Sequence, residues 1–168
     1  MSSLGDVFRV LSRMRDGGIV LDYAIGGATA VLFYAEPTRT YDLDVFAILP
    51  TGPMESLAPL TGVYEWAQRE GFALESEHVI VHGVPVQILP AHTALVTDAV
   101  RAARVHDYEG VPVRVVGPEH LVALALQAGG ARRRERAWQL LQSGAVDRIK
   151  LRVLLSAHSI DAEIPADV

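Results

Sequence analysis

Ile25-Gly26-Gly27-Ala28-Thr29-Ala30, followed shortly by Thr38-Arg39-Thr40-Tyr41-Asp42-Leu43-Asp44, is the stretch around which the rest of the chain arranges itself. Residues 19–25 are apolar and β-branched at both ends and read as a strand, which the paired glycines end. Residues 28–35 read as a helix stopped by Pro37. The glycines therefore stand at a strand-to-helix turn. There they allow close backbone approach, and the helix start offers N–H groups without intrahelical partners and the positive end of its dipole. Residues 42–49 read as the next strand, with Leu43, Val45 and Ala47 on one face and Asp42, Asp44 and Phe46 on the other. Spaced i and i+2, the two carboxylates share a face about 7 Å apart along the strand. That is close enough to share one or two hard cations. An anion cradle beside a cation site suits a nucleoside triphosphate bound with magnesium, whereas the same acids without that context are simply solvent-facing.

Outward from this stretch, Val7, Val10, Leu11 and Met14 recur at helical spacing between Arg9, Arg13 and Arg15, predicting an amphipathic helix that stops at Gly17 and Gly18. Residues 54–70 carry an imperfect helical stripe of Leu57, Leu60, Tyr64 and Trp66 that ends at Gly71. Residues 72–81 and 84–89 are strand-like around His82-Gly83, the pattern of a hairpin with a two-residue turn. Residues 92–103 read as helix, and residues 105–108 and 111–116 as a second hairpin around Glu109-Gly110. Helices over 118–127, 132–142 and 146–158 complete the chain, the first with Pro118 in its opening turn. The expected organisation is one domain, with an α/β core over residues 1–117 and a C-terminal helical segment over 118–168 packed on it.

Composition narrows the chemistry. Half of the 168 residues are hydrophobic, and a chain of this size buries roughly 70% of its extended surface without needing a metal or disulfide as a staple. The absence of cysteine excludes thiol catalysis, cysteine-ligated zinc, iron–sulfur clusters and disulfides, and fits a reducing cytoplasm. Twenty acids against fifteen bases leave a charge of −5, which argues against a surface that grips a nucleic-acid backbone throughout. No uncharged apolar run reaches the roughly 18–20 residues of a membrane span. Asp6, Arg9, Arg13 and Arg15 interrupt what a signal peptide keeps apolar. The expected location is the cytoplasm, with no membrane partner. His92, His106, His120 and His158 show no ligand spacing in sequence.

The glycine turn followed by Asp42-Leu43-Asp44 resembles the nucleotidyltransferase superfamily with the DNA polymerase β-like fold, in its minimal form. The stretch Arg39-Thr40-Tyr41-Asp42-Leu43-Asp44 and the later Pro118-Glu119-His120-Leu121-Val122-Ala123-Leu124 look most like the AbiEii-type group, which includes toxin partners of toxin–antitoxin pairs. The resemblance spans about residues 23–158. It implies an α+β fold, a nucleotidyltransferase-like mixed sheet flanked by helices with a C-terminal helical segment. It also implies transfer of a nucleoside monophosphate from an NTP to a hydroxyl of RNA (tRNA among the candidates), protein or a small molecule, with an antitoxin protein as a partner. Asp42 and Asp44 would bind Mg2+ or Mn2+ in a two-metal reaction. Gly26, Gly27 and the Thr29 hydroxyl would hold the triphosphate. Arg39 would neutralise phosphate charge, or else pair with a nearby acid.

Two departures bear on turnover. The family's third carboxylate belongs on strand 84–89, where Val84, Val86 and Ile88 form the buried face and Gln87 projects toward the site. Glutamine offers a cation its carbonyl oxygen but supplies neither negative charge nor a base. With a turn at His82-Gly83, His78 lies across from Gln87 on the same face and is a candidate base or ligand, or else a half-exposed strand residue. Glu75 and Glu77 are expected on the opposite face. The second departure is the run Gly130-Ala131-Arg132-Arg133-Arg134-Glu135-Arg136, where a Lys-Asp pair is the usual pattern of the group. Arg132 and Arg134 are the candidates for contacting the triphosphate or an RNA acceptor, the alternative being a solvated helix start. A catalytically degenerate, nucleotide-binding or regulatory module is the competing reading of the whole chain.

Overall fold

The apolar stripe of Val7, Val10, Leu11 and Met14, with Phe8, is buried along helix α1 (Leu4–Asp16). The computed structural model describes residues 4–35, 42–50 and 58–166. Strand β1 (Asp22–Ile25) follows and leads through the glycine pair into the short helix α2 (Gly27–Val31). Strand β2 (Leu43–Ile48) alternates strictly, with Leu43, Val45 and Ala47 buried and Asp44, Phe46 and Ile48 half-buried. Helix α3 (Thr61–Arg69) then precedes β3 (Ala73–Glu75), β4 (His78–Val81) and β5 (Val84–Pro90). Helix α4 (Ala94–Arg101) is capped by the Thr93 hydroxyl, which accepts from the Val96 N–H. Strands β6 (Arg104–Tyr108) and β7 (Val111–Val115) form a hairpin, and α5 (Pro118–Ala128), α6 (Ala131–Gln142) and α7 (Arg148–Ala157) follow.

Among the described residues the strands form one mixed sheet in the order β3-β4-β5-β2-β1-β7-β6. β2 is parallel to β5 and antiparallel to β1, which in turn runs parallel to β7. The acid-bearing strand is thus interior, with neighbours on both edges fixing its register. Helices α1 and α4 pack on the sheet, and α5 lies against α2, α4, α6 and α7. Phe8 of α1 meets Tyr108 of β6 edge to face at 5.2 Å between ring centres, a pair worth about 1 kcal/mol beyond its burial.

The elements depart from the sequence reading at informative places. β1 begins at Asp22 rather than residue 19, because the Asp22 carboxylate anchors it, pairing with Arg114 at 3.0 Å and Arg15 at 3.3 Å. The helix expected over 28–35 is confined to Gly27–Val31, and tighter turns carry the chain through Leu32–Ala35. Of the helix expected over 54–70, residues 54–57 lie outside the described residues and α3 starts only at Thr61. The strand expected over 72–81 is two strands, split by a turn at Ser76-Glu77 where Ser76 takes a φ of +54°. The two hairpins read from sequence are present, and their turn residues His82-Gly83 and Glu109-Gly110 all have positive φ, the left-handed pairs that match strand twist.

The C-terminal helices are tied to the sheet by charge as well as packing. Glu119, only 6% exposed, accepts the Asp147 N–H at 2.9 Å through Oε1 and Arg104 at 3.2 Å through Oε2. Asp147 in turn caps α7, accepting from the N–H groups of Ile149 and Lys150. His120 and His158, unrelated in sequence spacing, both approach Asp98 Oδ2, at 3.9 and 3.6 Å, where α4, α5 and α7 meet. Among the described residues no helix is long and apolar enough to cross a membrane.

Candidate active site

The parallel register of β2 and β5 sets Asp44 beside Gln87, and the antiparallel register of β5 and β4 sets Gln87 beside His78. Directly paired residues share a face. Asp44, Gln87 and His78 therefore form one row across three strands, and Glu75, paired with His78, extends it. On the other flank of β2 the Gly26 N–H donates to the Asp44 carbonyl at 2.9 Å. Asp42 projects to the same side, and His78 Nε2 lies 3.4 Å from Asp42 Oδ2.

Sterics explain the glycine pair. Gly27 has a φ of +59°, and a Cβ built on it would overlap the Asp44 carboxylate; a Cβ on Gly26 would overlap the Phe46 ring. Only glycine meets both demands at position 27. The β1–α2 turn consequently lies directly on the acid strand. Its details differ from the sequence expectation. Helix α2 has 5 residues, so its dipole is modest, and the Gly26 N–H is engaged by the Asp44 carbonyl. Thr29, expected to hold triphosphate, is buried, and its hydroxyl donates to the Asp42 carbonyl at 3.4 Å. It fixes the backbone that carries the acids.

Burial pushes the Asp44 carboxyl up from its ordinary value, and the negative charge of Asp42 pushes it further, while Arg136 and His78 act against both. Two oxygen-only donors crowding each other's charge fit Mg2+ or Mn2+. Such ions need one or two carboxylates and complete their shell with water and phosphate oxygens. Among the described residues no group of three or more His, Asp or Glu side chains is placed to hold a metal by itself, so the fit is to an ion shared with an anionic substrate. Gln87 Nε2 donates to Glu77 Oε2 at 3.1 Å.

Beside Asp44 opens a cavity of about 480 Å³ with largely apolar walls, Val31, Phe46, Leu121 and Leu124 among them. Its cationic lining comes from Arg133 and Arg136 of α6. Of the arginines expected from sequence to contact the substrate, Arg134 lines a separate depression with Trp138 and Asp161, and Arg132 is exposed and lines neither. The helical period carried the signal, since Arg133, Arg136 and Leu140 follow i, i+3, i+7 beside the buried Ala137. Arg39 lies outside the described residues. Glu75 and Glu77, expected on the face opposite Gln87, are both on its side. The Ser76-Glu77 turn reverses the chain, so Glu75 pairs with His78 and Glu77 reaches Gln87.

No family model matches the chain. No curated protein matches it in sequence either. Solved structures do. An antigenic nucleotidyltransferase-like protein from Paracoccidioides brasiliensis is 15% identical, with 92% of this chain and 86% of that chain covered and a TM-score of 0.56. The antibiotic-resistance factor ANT(2'')-Ia in its solution structure is 12% identical, covering 91% and 89% at a TM-score of 0.53. The crystal structure of ANT(2'')-Ia in complex with adenylyl-2''-tobramycin is 14% identical, covering 94% and 98% at 0.55. At such identities the likeness is one of fold, and the chain has the nucleotidyltransferase-like α+β fold, a mixed seven-stranded sheet flanked by helices.

Proposed function

We propose that the protein transfers a nucleoside monophosphate from an NTP to a hydroxyl group. The observation that carries this reading is the close seating of Gly27 on the Asp44 carboxylate, beside Asp42 and at the mouth of a cavity lined by Arg133 and Arg136. Asp42, Asp44 and the Gln87 carbonyl oxygen would hold Mg2+ or Mn2+. When bound, the metal supplies positive charge at the reacting phosphate and the leaving pyrophosphate. His78 holds Asp42 through Nε2, and Thr29 fixes the Asp42 backbone. Gly26 and Gly27 keep the turn close enough for a triphosphate to lie along it. Arg133 and Arg136 neutralise its charge, and Arg39 is assigned the same task on its sequence position beside the acid pair. The apolar walls take the nucleoside and keep water from it.

In its finer form the acceptor is an RNA such as tRNA, and the protein is a cytoplasmic toxin restrained by an antitoxin; the Arg39–Asp44 stretch supports that form. A protein or small-molecule hydroxyl is the other acceptor class. The amide at position 87 favours a second reading, a nucleotide-binding module without turnover. Incubation with each α-labelled NTP, Mg2+ or Mn2+, total RNA and protein extract, with Asp44→Asn alongside, separates them. Label moved only by the unsubstituted protein supports transfer and reveals the acceptor class. Metal-dependent nucleotide binding without transfer favours the silent module, and no metal-dependent binding at all overturns both.

A further inference from the structure

Gln87 occupies the middle of the Asp44–Gln87–His78 row, where a side chain facing a cation must present oxygen. A primary amide is ambivalent there, because rotation of the terminal group exchanges a carbonyl acceptor for an NH2 donor. An NH2 turned toward two carboxylates would bond them and compete with a cation. The fold contains a device against that rotation. The turn at Ser76-Glu77 brings Glu77 back over β5, and Gln87 Nε2 donates to Glu77 Oε2 at 3.1 Å. Since Glu77 accepts and does not donate when ionised, only the nitrogen end of the amide can satisfy it. A hydrogen bond to an ionised acceptor is also roughly twice as strong as a neutral one. We infer that Glu77 is a positioning residue that locks the Gln87 amide with its carbonyl oxygen toward the cation held by Asp42 and Asp44, so that an amide serves where a carboxylate would be expected. The inference rests on the nucleotidyl-transfer reading of the same site.

The test is a two-by-two set of variants, Glu77→Ala, Gln87→Glu, both together and neither, with Asp44→Asn as reference. Mn2+ alone is titrated into each and free ion is read by electron paramagnetic resonance. Outer partners of metal ligands typically carry 10–100-fold in affinity. Glu77→Ala is accordingly expected to weaken Mn2+ binding about 10-fold in the Gln87 background and to leave it unchanged when Gln87→Glu is present, since a carboxylate has no nitrogen end to lock. Equal weakening in both backgrounds would overturn the inference by showing that Glu77 acts through its own charge. No weakening in either would overturn it by reducing the contact to a surface hydrogen bond. If Asp44→Asn also leaves Mn2+ binding intact, the site reading itself falls, an outcome distinct from the other two. Glu77 is exposed, so Glu77→Ala should melt with the unsubstituted protein, and the set does not depend on an identified acceptor.

Discussion

Asp44 and Glu119 are both carboxylates withdrawn from water, and their surroundings are opposite in kind. Glu119 has its charge answered inside the fold: Arg104 and the Asp147 N–H converge on its two oxygens, and each contact joins one element to another. Asp44 has a like charge beside it in Asp42, a glycine in place of any side chain above it, and a cavity in front. A buried carboxylate with its partners built in stabilises architecture, and removing either side of such a pair is costly. One set against a like charge is held at a cost in stability, which Arg136 and His78 offset only in part, and such perturbed carboxylates cluster at functional sites. Stability and activity should therefore respond to the two acids in opposite ways.

The strongest challenge to that contrast is Asp44→Asn. It is expected to lower label transfer by at least about 100-fold, the scale of losing one preorganised electrostatic group, while the melting temperature stays level or rises. A melting temperature that falls sharply would make Asp44 architectural after all. Next in size is Gly27→Ala. Forcing a side chain into positive φ costs about 1–3 kcal/mol, and the overlap displaces the Asp44 carboxylate, so stability by denaturant titration and metal-dependent nucleotide affinity should fall together. Glu119→Gln should do the reverse of Asp44→Asn. Because Arg104 is half exposed the loss is about 1–2 kcal/mol, or roughly 2–8 °C for a chain of this size, with transfer at low temperature untouched. The smallest effect concerns pH. The folded state raises the Asp44 carboxyl above its ordinary 3.8, so Asp44 is less costly when protonated, and its penalty appears as pH rises through the folded-state value. Asp44→Asn carries no such penalty. Its stability relative to the unsubstituted protein should improve as pH is raised from 3 toward 7 in urea titrations, and a gap independent of pH would contradict the assignment.

Much of this contrast was legible in the chain. The i, i+2 spacing put both aspartates on one face, and the His82-Gly83 turn fixed the register that sets His78 across from Gln87. Glycine signals failed only where the structure did without them. Ser76 turns at positive φ with no Gly, Asn or Pro near it, so nothing local announced the reversal that brings Glu77 to Gln87. Burial of Thr29 was equally hidden, because a threonine after two glycines looks the same whether its hydroxyl meets a phosphate or the Asp42 carbonyl. The arginines are a different case: α6 sets Arg133 and Arg136 on the side that lines the cavity beside Asp44, a phase the helical period contains and a run of clustered charge obscures. Glu119 carried no sign of its role, since a partner 28 residues away at Asp147 is set by the packing of α5 on α7.

That last contact has a consequence for how the molecule opens. The carboxylate of Glu119 joins the start of α7 to β6, and peeling the helix away would strip it of the Asp147 N–H in a place closed to water. Helix α7 is therefore not free to fray by itself from its N-terminal end. In hydrogen exchange, its amide protons and those of the β6–β7 hairpin should show matching protection, behaving as one cooperative unit, and a protease given the native protein should find no early cut between α6 and α7.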